Sequence, residues 1–247
     1  LTPAAAAARI APPPGYTRLE PLDRRQHAGL GLVAAPGFAW AAGLPAVALG
    51  AVEMARAALD YPVVFARDPR DGEFVPMAVL GAGPGQNVFV DAEGGWRPGC
   101  YVPAYLRRWP FCTAQLPAEG GRAGRSLICV EAGSLGRSAQ ALFDSSGEPT
   151  EAFAPIRSLI ESMEAARQQT RVLARRLESL ELLVPFDAVI RPSTGPSRQL
   201  RGLFRVDEKK LAKRSASELQ GLLRKGELKA IYAHLLSLEN FARLLPA

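Results

Sequence analysis

Between Ile156 and Leu180, the residues Ile156, Leu159, Met163, Ala166, Thr170, Leu173, Leu177 and Leu180 recur at alternating spacings of three and four. An α-helix brings that spacing onto one face, so the stripe predicts a single helix of about seven turns. Arg, Gln and Glu fill most of the remaining positions, which leaves one side to be buried. Such a helix takes its stability from a second layer that covers the stripe. Glu148, Pro149 and Thr150 make a plausible start, and the stop is expected near Val184-Pro185, where proline removes a donor.

The covering layer is written upstream. From Leu30 to Leu135, short apolar runs read as strands: FAWAA (38–42), YPVVFA (61–66), FVPMAVLG (74–81), NVFVD (87–91), FCTAQL (111–116) and SLICVEA (126–132). The clearest connections between them are DPRDGE (68–73), GAGPGQ (81–86) and DAEGGW (91–96). Two helices interrupt the strands. One runs from Leu49 to Asp60, and a short one carries Ala104 to Trp109 with Pro103 in its first turn.

After the hairpin-like LFDSSGEPTE (142–151) the chain turns helical, apart from strands at FDAVIR (186–191) and LRGLFRVD (200–207) joined by a loop from Pro192 to Gln199. A helix is expected from Glu208, then a pair over Ala216–Lys225 and Leu228–Leu245 separated at Gly226, a residue suited to a C-terminal cap. Strands first and helices later mark an α+β fold, a mainly antiparallel sheet packed against the long helix and a C-terminal helical segment. Residues 1–15 are Ala- and Pro-rich and read as a mobile arm, and 16–247 as one domain.

Composition narrows the function. The chain has 247 residues and a formal charge of +6, all of it arising from residues 151–247, where 17 Lys/Arg face 11 Asp/Glu. The excess is spread along helices, which fits a solvated basic face and makes nucleic acid an unlikely partner. Cys100, Cys112 and Cys129 are an odd number without metal-ligand spacing, which argues against a disulfide framework and a structural zinc site and favours a reducing compartment. No signal peptide is visible, so the expected location is cytoplasmic. Ala28 to Val52 carries no charge, but five glycines and two prolines break it, so it reads as two short buried strands and the chain as no integral membrane protein.

Gly81-Ala82-Gly83-Pro84-Gly85 resembles a dinucleotide loop, but a strand is expected to follow it rather than a helix, so a hairpin turn is the reading. No GxSxG elbow and no Walker loop occur. Cys112 and Cys129 read as small apolar core residues. His27 and His234 are the only imidazoles, and with Glu53 they make a possible two-histidine, one-carboxylate set for iron or zinc. The densest feature is YVPAYLRRWPF (101–111). There Tyr101, Tyr105, Arg107, Arg108 and Trp109 are the expected ligand or partner site, through stacking and bidentate guanidinium contacts.

Taken together, PLDRRQH (21–27), YPVVF (61–65), NVFVD, the aromatic-arginine segment, LFDSSGEPT and IYAHLLSLENFARLL (231–245) resemble the SapC family, named for bacterial surface-layer proteins. The resemblance covers about Tyr16 to Leu245. It implies a bacterial protein with no assigned catalytic residues. It also implies a setting beside TonB-dependent receptors, cupin-like proteins and tryptophan-halogenase-like proteins. The expected function is therefore a non-catalytic binding or accessory protein of a surface-layer or uptake system, without cofactor, recognising a peptide, glycan or protein partner. The alternative is a metal-dependent enzyme of the same pathway using His27, Glu53 and His234.

Overall fold

A computed structural model describes residues 11–33, 37–116, 125–138, 140–191 and 196–245. The first ten residues of the expected arm and residues 192–195 of the expected loop lie outside these ranges. The described strands are β1 (Leu19–Pro21), β2 (Leu30–Leu32), β3 (Ala46–Ala48), β4 (Val63–Arg67), β5 (Phe74–Val79), β6 (Phe111–Leu116), β7 (Arg125–Glu131), β8 (Leu135–Arg137), β9 (Leu183–Ile190) and β10 (Arg198–Val206). The α-helices are α1 (Met54–Ala57), α2 (Ala104–Arg107), α3 (Ala154–Ser179), α4 (Glu208–Ala212), α5 (Ala216–Arg224) and α6 (Glu227–Ser237). Every ladder between these strands is antiparallel, and the fold is α+β as the sequence predicts.

The contacts divide the residues expected as one domain into two compact units, each made of two separate stretches of chain. The first comprises Leu1–Gly37 and Arg107–Ser162. Its sheet has the order β1-β7-β6, beside the small β2-β8 pair. Phe111 and Val130 on one sheet face join Leu142, Phe143, Phe153 and Ile160 in an apolar cluster, while Cys112, Ala114 and Cys129 cluster with Tyr16 and Leu19.

The second unit comprises Phe38–Leu106 and Met163–Ala247, built on a sheet of order β3-β5-β4-β10-β9. Leu173, Ala174 and Leu177 of α3 lie in its core with Tyr61, Val63, Phe65 and Leu80, so the helical stripe is buried from Ala166 to Leu177 and half-buried at Ile156, Leu159, Met163 and Leu180. The β4–β5 turn is held to α3 by charge: Arg171 lies 2.9 Å from both Asp71 and Glu73, and Arg175 also pairs with Glu73. Part of the basic excess is therefore neutralised within the unit.

Several boundaries differ from expectation for local reasons. The run FAWAA is a 3-10 turn at Ala39–Ala41. NVFVD forms no strand, because the Asn87 side chain bonds both Ala41 O and the Phe89 N–H and takes the backbone into a turn. The long helix starts at Ala154 and ends at Ser179, short of Val184. Leu182 N donates to Leu177 O at 2.9 Å and Glu181 adopts φ 51°, a left-handed cap without glycine. Pro185 then sits in edge strand β9, where its missing N–H costs no ladder bond. Gly226 takes φ 70° between α5 and α6 as expected.

Asp207 caps α4 by accepting the Lys209 and Lys210 N–H groups. Asp207→Ala is expected to lower stability by about 1 kcal/mol, read as a fall in urea midpoint at unchanged slope.

Candidate functional site

Of the three polar side chains singled out in the sequence, Glu53 is the most heavily bonded. It sits 8% exposed at the end of a 3-10 turn, Ala51–Glu53, that leads into α1. One carboxylate oxygen accepts the Gly50 N–H at 2.9 Å; the other accepts the Tyr101 hydroxyl at 2.8 Å and the Ala104 N–H at 2.9 Å. Tyr101 is further held by its own backbone: its N–H donates to Asp60 at 2.8 Å and its carbonyl accepts the Tyr61 hydroxyl. Burial raises the Tyr61 phenol above its ordinary value, which keeps it a donor. Trp96 completes the cluster, donating to the Tyr61 hydroxyl at 3.3 Å and stacking on Phe89 at 5.9 Å between centroids. The carboxylate thus anchors the Tyr101 segment to the start of α1.

His234, on α6, is fully buried at 0% exposure. Phe65 pairs with Phe204, so continuing that register sets Val63 opposite Val206. At this step the ladder bond is replaced by the imidazole: the Val206 N–H donates to Nε2 at 3.0 Å, and Nδ1 stands 2.6 Å from the Val63 carbonyl. A backbone N–H can only donate, so Nε2 is the acceptor and Nδ1 carries the proton. The Val63 N–H donates to Ser237 Oγ at 2.8 Å, one turn further along α6. Burial drives the His234 pKa down to about 4. Both ring nitrogens are therefore committed to the main chain, and neither offers a lone pair to a metal.

His27 belongs to the other unit, in the motif PLDRRQH. Asp23 folds this motif into one turn, its carboxylate accepting the Arg25 and Gln26 N–H groups at 2.9 and 2.8 Å. Those same bonds hold its pKa below the ordinary aspartate value. Two bonds at 3.0 Å close the turn: the His27 N–H donates to Asp23 O, and the Asp23 N–H donates to His27 Nδ1. The ring is consequently fixed as the Nε2–H tautomer, opposite to His234. It is 4% exposed, and Nε2 has no hydrogen-bond partner among the described residues.

His27 lines a cleft of about 190 Å³ with Glu20, Gln26, Leu30, Val130, Glu131, Gly133 and Leu135. A larger, more open depression of about 660 Å³, bounded by Ala28, Gly29, Leu30, Arg137 and Ser138, shares Leu30 with it. The sequence gives no warning of this cleft, because its walls come from stretches about a hundred residues apart and β8 carries no apolar run.

The residues expected as a metal set are divided between the two units. His27 lies in one unit and Glu53 and His234 in the other, and no group of three or more His, Cys, Asp or Glu able to hold an ion occurs among the described residues. The aromatic-arginine segment is likewise divided, because the chain passes from the second unit to the first between Leu106 and Arg107. Tyr105 is buried in the core of the second unit and Tyr101 packs against it. Trp109 packs on the Cys112 and Cys129 cluster of the first, and the Arg108 guanidinium lies 5.8 Å from the Tyr16 ring centroid. Arg107 is exposed. Of the aromatics in 101–111, Tyr105 and Phe111 are buried, and Tyr101 and Trp109 are half-buried.

The antiparallel ladders, the long amphipathic helix and the PLDRRQH turn define an α+β protein in which the buried His27, Glu53 and His234 are bonded mainly to backbone. The model of the SapC family matches residues 22–244, nearly the whole chain, and the chain belongs to that family. No curated protein and no solved structure matches it. No described helix is long and apolar enough to cross a membrane.

Proposed function

We propose that this protein is a non-catalytic binding or accessory protein of a bacterial surface-layer or TonB-dependent uptake system, and that it recognises a peptide or glycan at the His27 cleft. The observation that carries this reading is the fixed tautomer of His27: its Nδ1 lone pair is taken by the Asp23 N–H, so the ring offers a donor and no base. An acceptor on the ligand, a carbonyl or a hydroxyl, suits that donor. The amide of Gln26 suits N–H or O–H groups, as do the remaining lone pairs of Glu20, which pairs with Arg18, and of Glu131, whose oxygens accept the Thr17 and Arg18 N–H groups. Peptide bonds and sugar hydroxyls both supply this combination, and Leu30 and Leu135 provide an apolar wall. The cell-envelope setting rests on the family alone.

The test is a titration of the isotopically labelled chain with surface oligosaccharides and with short neutral peptides, followed by NMR. Saturable shifts at the His27 ring and at the Leu30 and Leu135 amides are expected, with affinity reduced at least about tenfold in His27→Phe, which removes the donor. Shifts that leave these groups untouched would refute the cleft, and turnover of a bound probe would put the enzyme reading in its place.

A further inference from the structure

Cys112 on β6 and Cys129 on β7 are direct cross-strand partners, and both are buried, at 1% and 0% exposure. One step before them in the ladder class, the Glu131 N–H donates to Pro110 O at 2.9 Å, so the 112/129 pair falls at a hydrogen-bonded position. Partners there stand about 5.5 Å apart at Cα, inside the window of roughly 4.4–6.8 Å that a disulfide spans. Their side chains share one sheet face, in the small cluster formed with Tyr16, Leu19 and Ala114. The sequence, with its odd cysteine count, gives no reason to pair these two; the register does.

We propose that Cys112 and Cys129 form a reversible intramolecular disulfide when the protein meets a small disulfide oxidant. One cysteine thiolate attacks the oxidant and expels one thiolate, leaving a mixed disulfide. The partner thiolate then attacks the protein sulfur of that bond and expels the second, so two S–H bonds are lost, one S–S bond forms, and the oxidant leaves as two thiols. Burial pushes the Cys112 and Cys129 thiols up to about 12 and about 11, so the closed dithiol is unreactive. Strand β6 lies at the edge of its sheet, and its opening is the step that admits the oxidant. Hydrogen-bonded cross-strand positions hold the sulfurs away from relaxed geometry, which makes the bond easy to reduce again.

The experiment uses the full chain carrying Cys100→Ala, which removes the one half-exposed thiol, with oxidised glutathione as the oxidant. The folded protein is expected to lose two hydrogens in intact mass without an adduct. Peptide mapping joins residues 112 and 129, a dithiol reductant reverses the change, and the rate rises about tenfold per pH unit. Adding Cys112→Ala should leave glutathione attached to Cys129. Because that variant leaves a small void, its near-ultraviolet circular dichroism is compared with the parent; an unfolded variant shifts the test to Cys129→Ala and an adduct on Cys112. Stable glutathione adducts on both cysteines, or a disulfide that forms only above the unfolding midpoint in urea, would overturn the proposal.

Discussion

Glu53→Ala is expected to lower the unfolding free energy by about 4 kcal/mol, because it strands three donors that share one buried carboxylate. Gly50 N–H, Ala104 N–H and the Tyr101 hydroxyl lose their acceptor together. Each such loss costs roughly 1–3 kcal/mol, and the half-buried Tyr101 can recover part of its share from water. Glu53→Gln separates charge from shape. Its amide oxygen can still serve the Tyr101 and Ala104 donors while its NH₂ faces the Gly50 N–H, so about half the loss is expected. Urea unfolding followed at the tryptophan bands measures both variants. A loss below about 1 kcal/mol for the alanine variant would show that the carboxylate is not the anchor of the Tyr101 segment.

Acid should expose the second large effect, through His234. Its folded pKa of about 4 lies below the ordinary 6.5, so the folded chain binds fewer protons than the unfolded one at intermediate pH. The stability contribution is complete above about pH 6.5 and is lost as pH falls from there through 4, by about 3 kcal/mol in all. Protonation would cost the Val206 bond, since Nε2 can then no longer accept, and would place a charge in a fully buried site. Carboxylates held below their ordinary values, such as Asp68 and Asp144, act in a lower window, below the ordinary aspartate value of 3.8. His234→Gln keeps one donor and one acceptor, so it should be less stable than the parent at pH 7 yet flatter between pH 6.5 and 4. An unchanged slope in that variant would assign the acid sensitivity elsewhere.

The helix α3 and its stripe were legible because a 3.6-residue period needs no knowledge of the rest of the chain. Its end was not, because Glu181 holds a left-handed backbone that sequence assigns to glycine. NVFVD misleads for a similar reason: a strand composition is overridden by one asparagine side chain with two backbone partners. The division into two units is invisible in a linear reading, since each unit closes from distant stretches.

Three buried polar residues are legible in the sequence, but not their roles, and the cleft beside His27 is not legible at all. His27, Glu53 and His234 stand out in the sequence, and all three are buried, yet what they bind first is backbone N–H. Only the register that opposes Val63 to Val206 reveals why an imidazole is needed at 234. Of the dense aromatics of 101–111, those before Leu106 pack in one unit and those after it in the other, a distinction that composition does not carry.

The main chain locks the two histidines in opposite tautomers. With only His27 and His234 in the sequence, a long-range nitrogen–proton NMR spectrum of the labelled protein at pH 7.5 contains just two ring patterns. One Nδ1–H pattern is expected from His234 and one Nε2–H pattern from His27, with the former unchanged when zinc or ferrous iron is added. Two rings of the same tautomer, exchange-averaged rings, or a metal-induced shift at His234 would contradict this assignment.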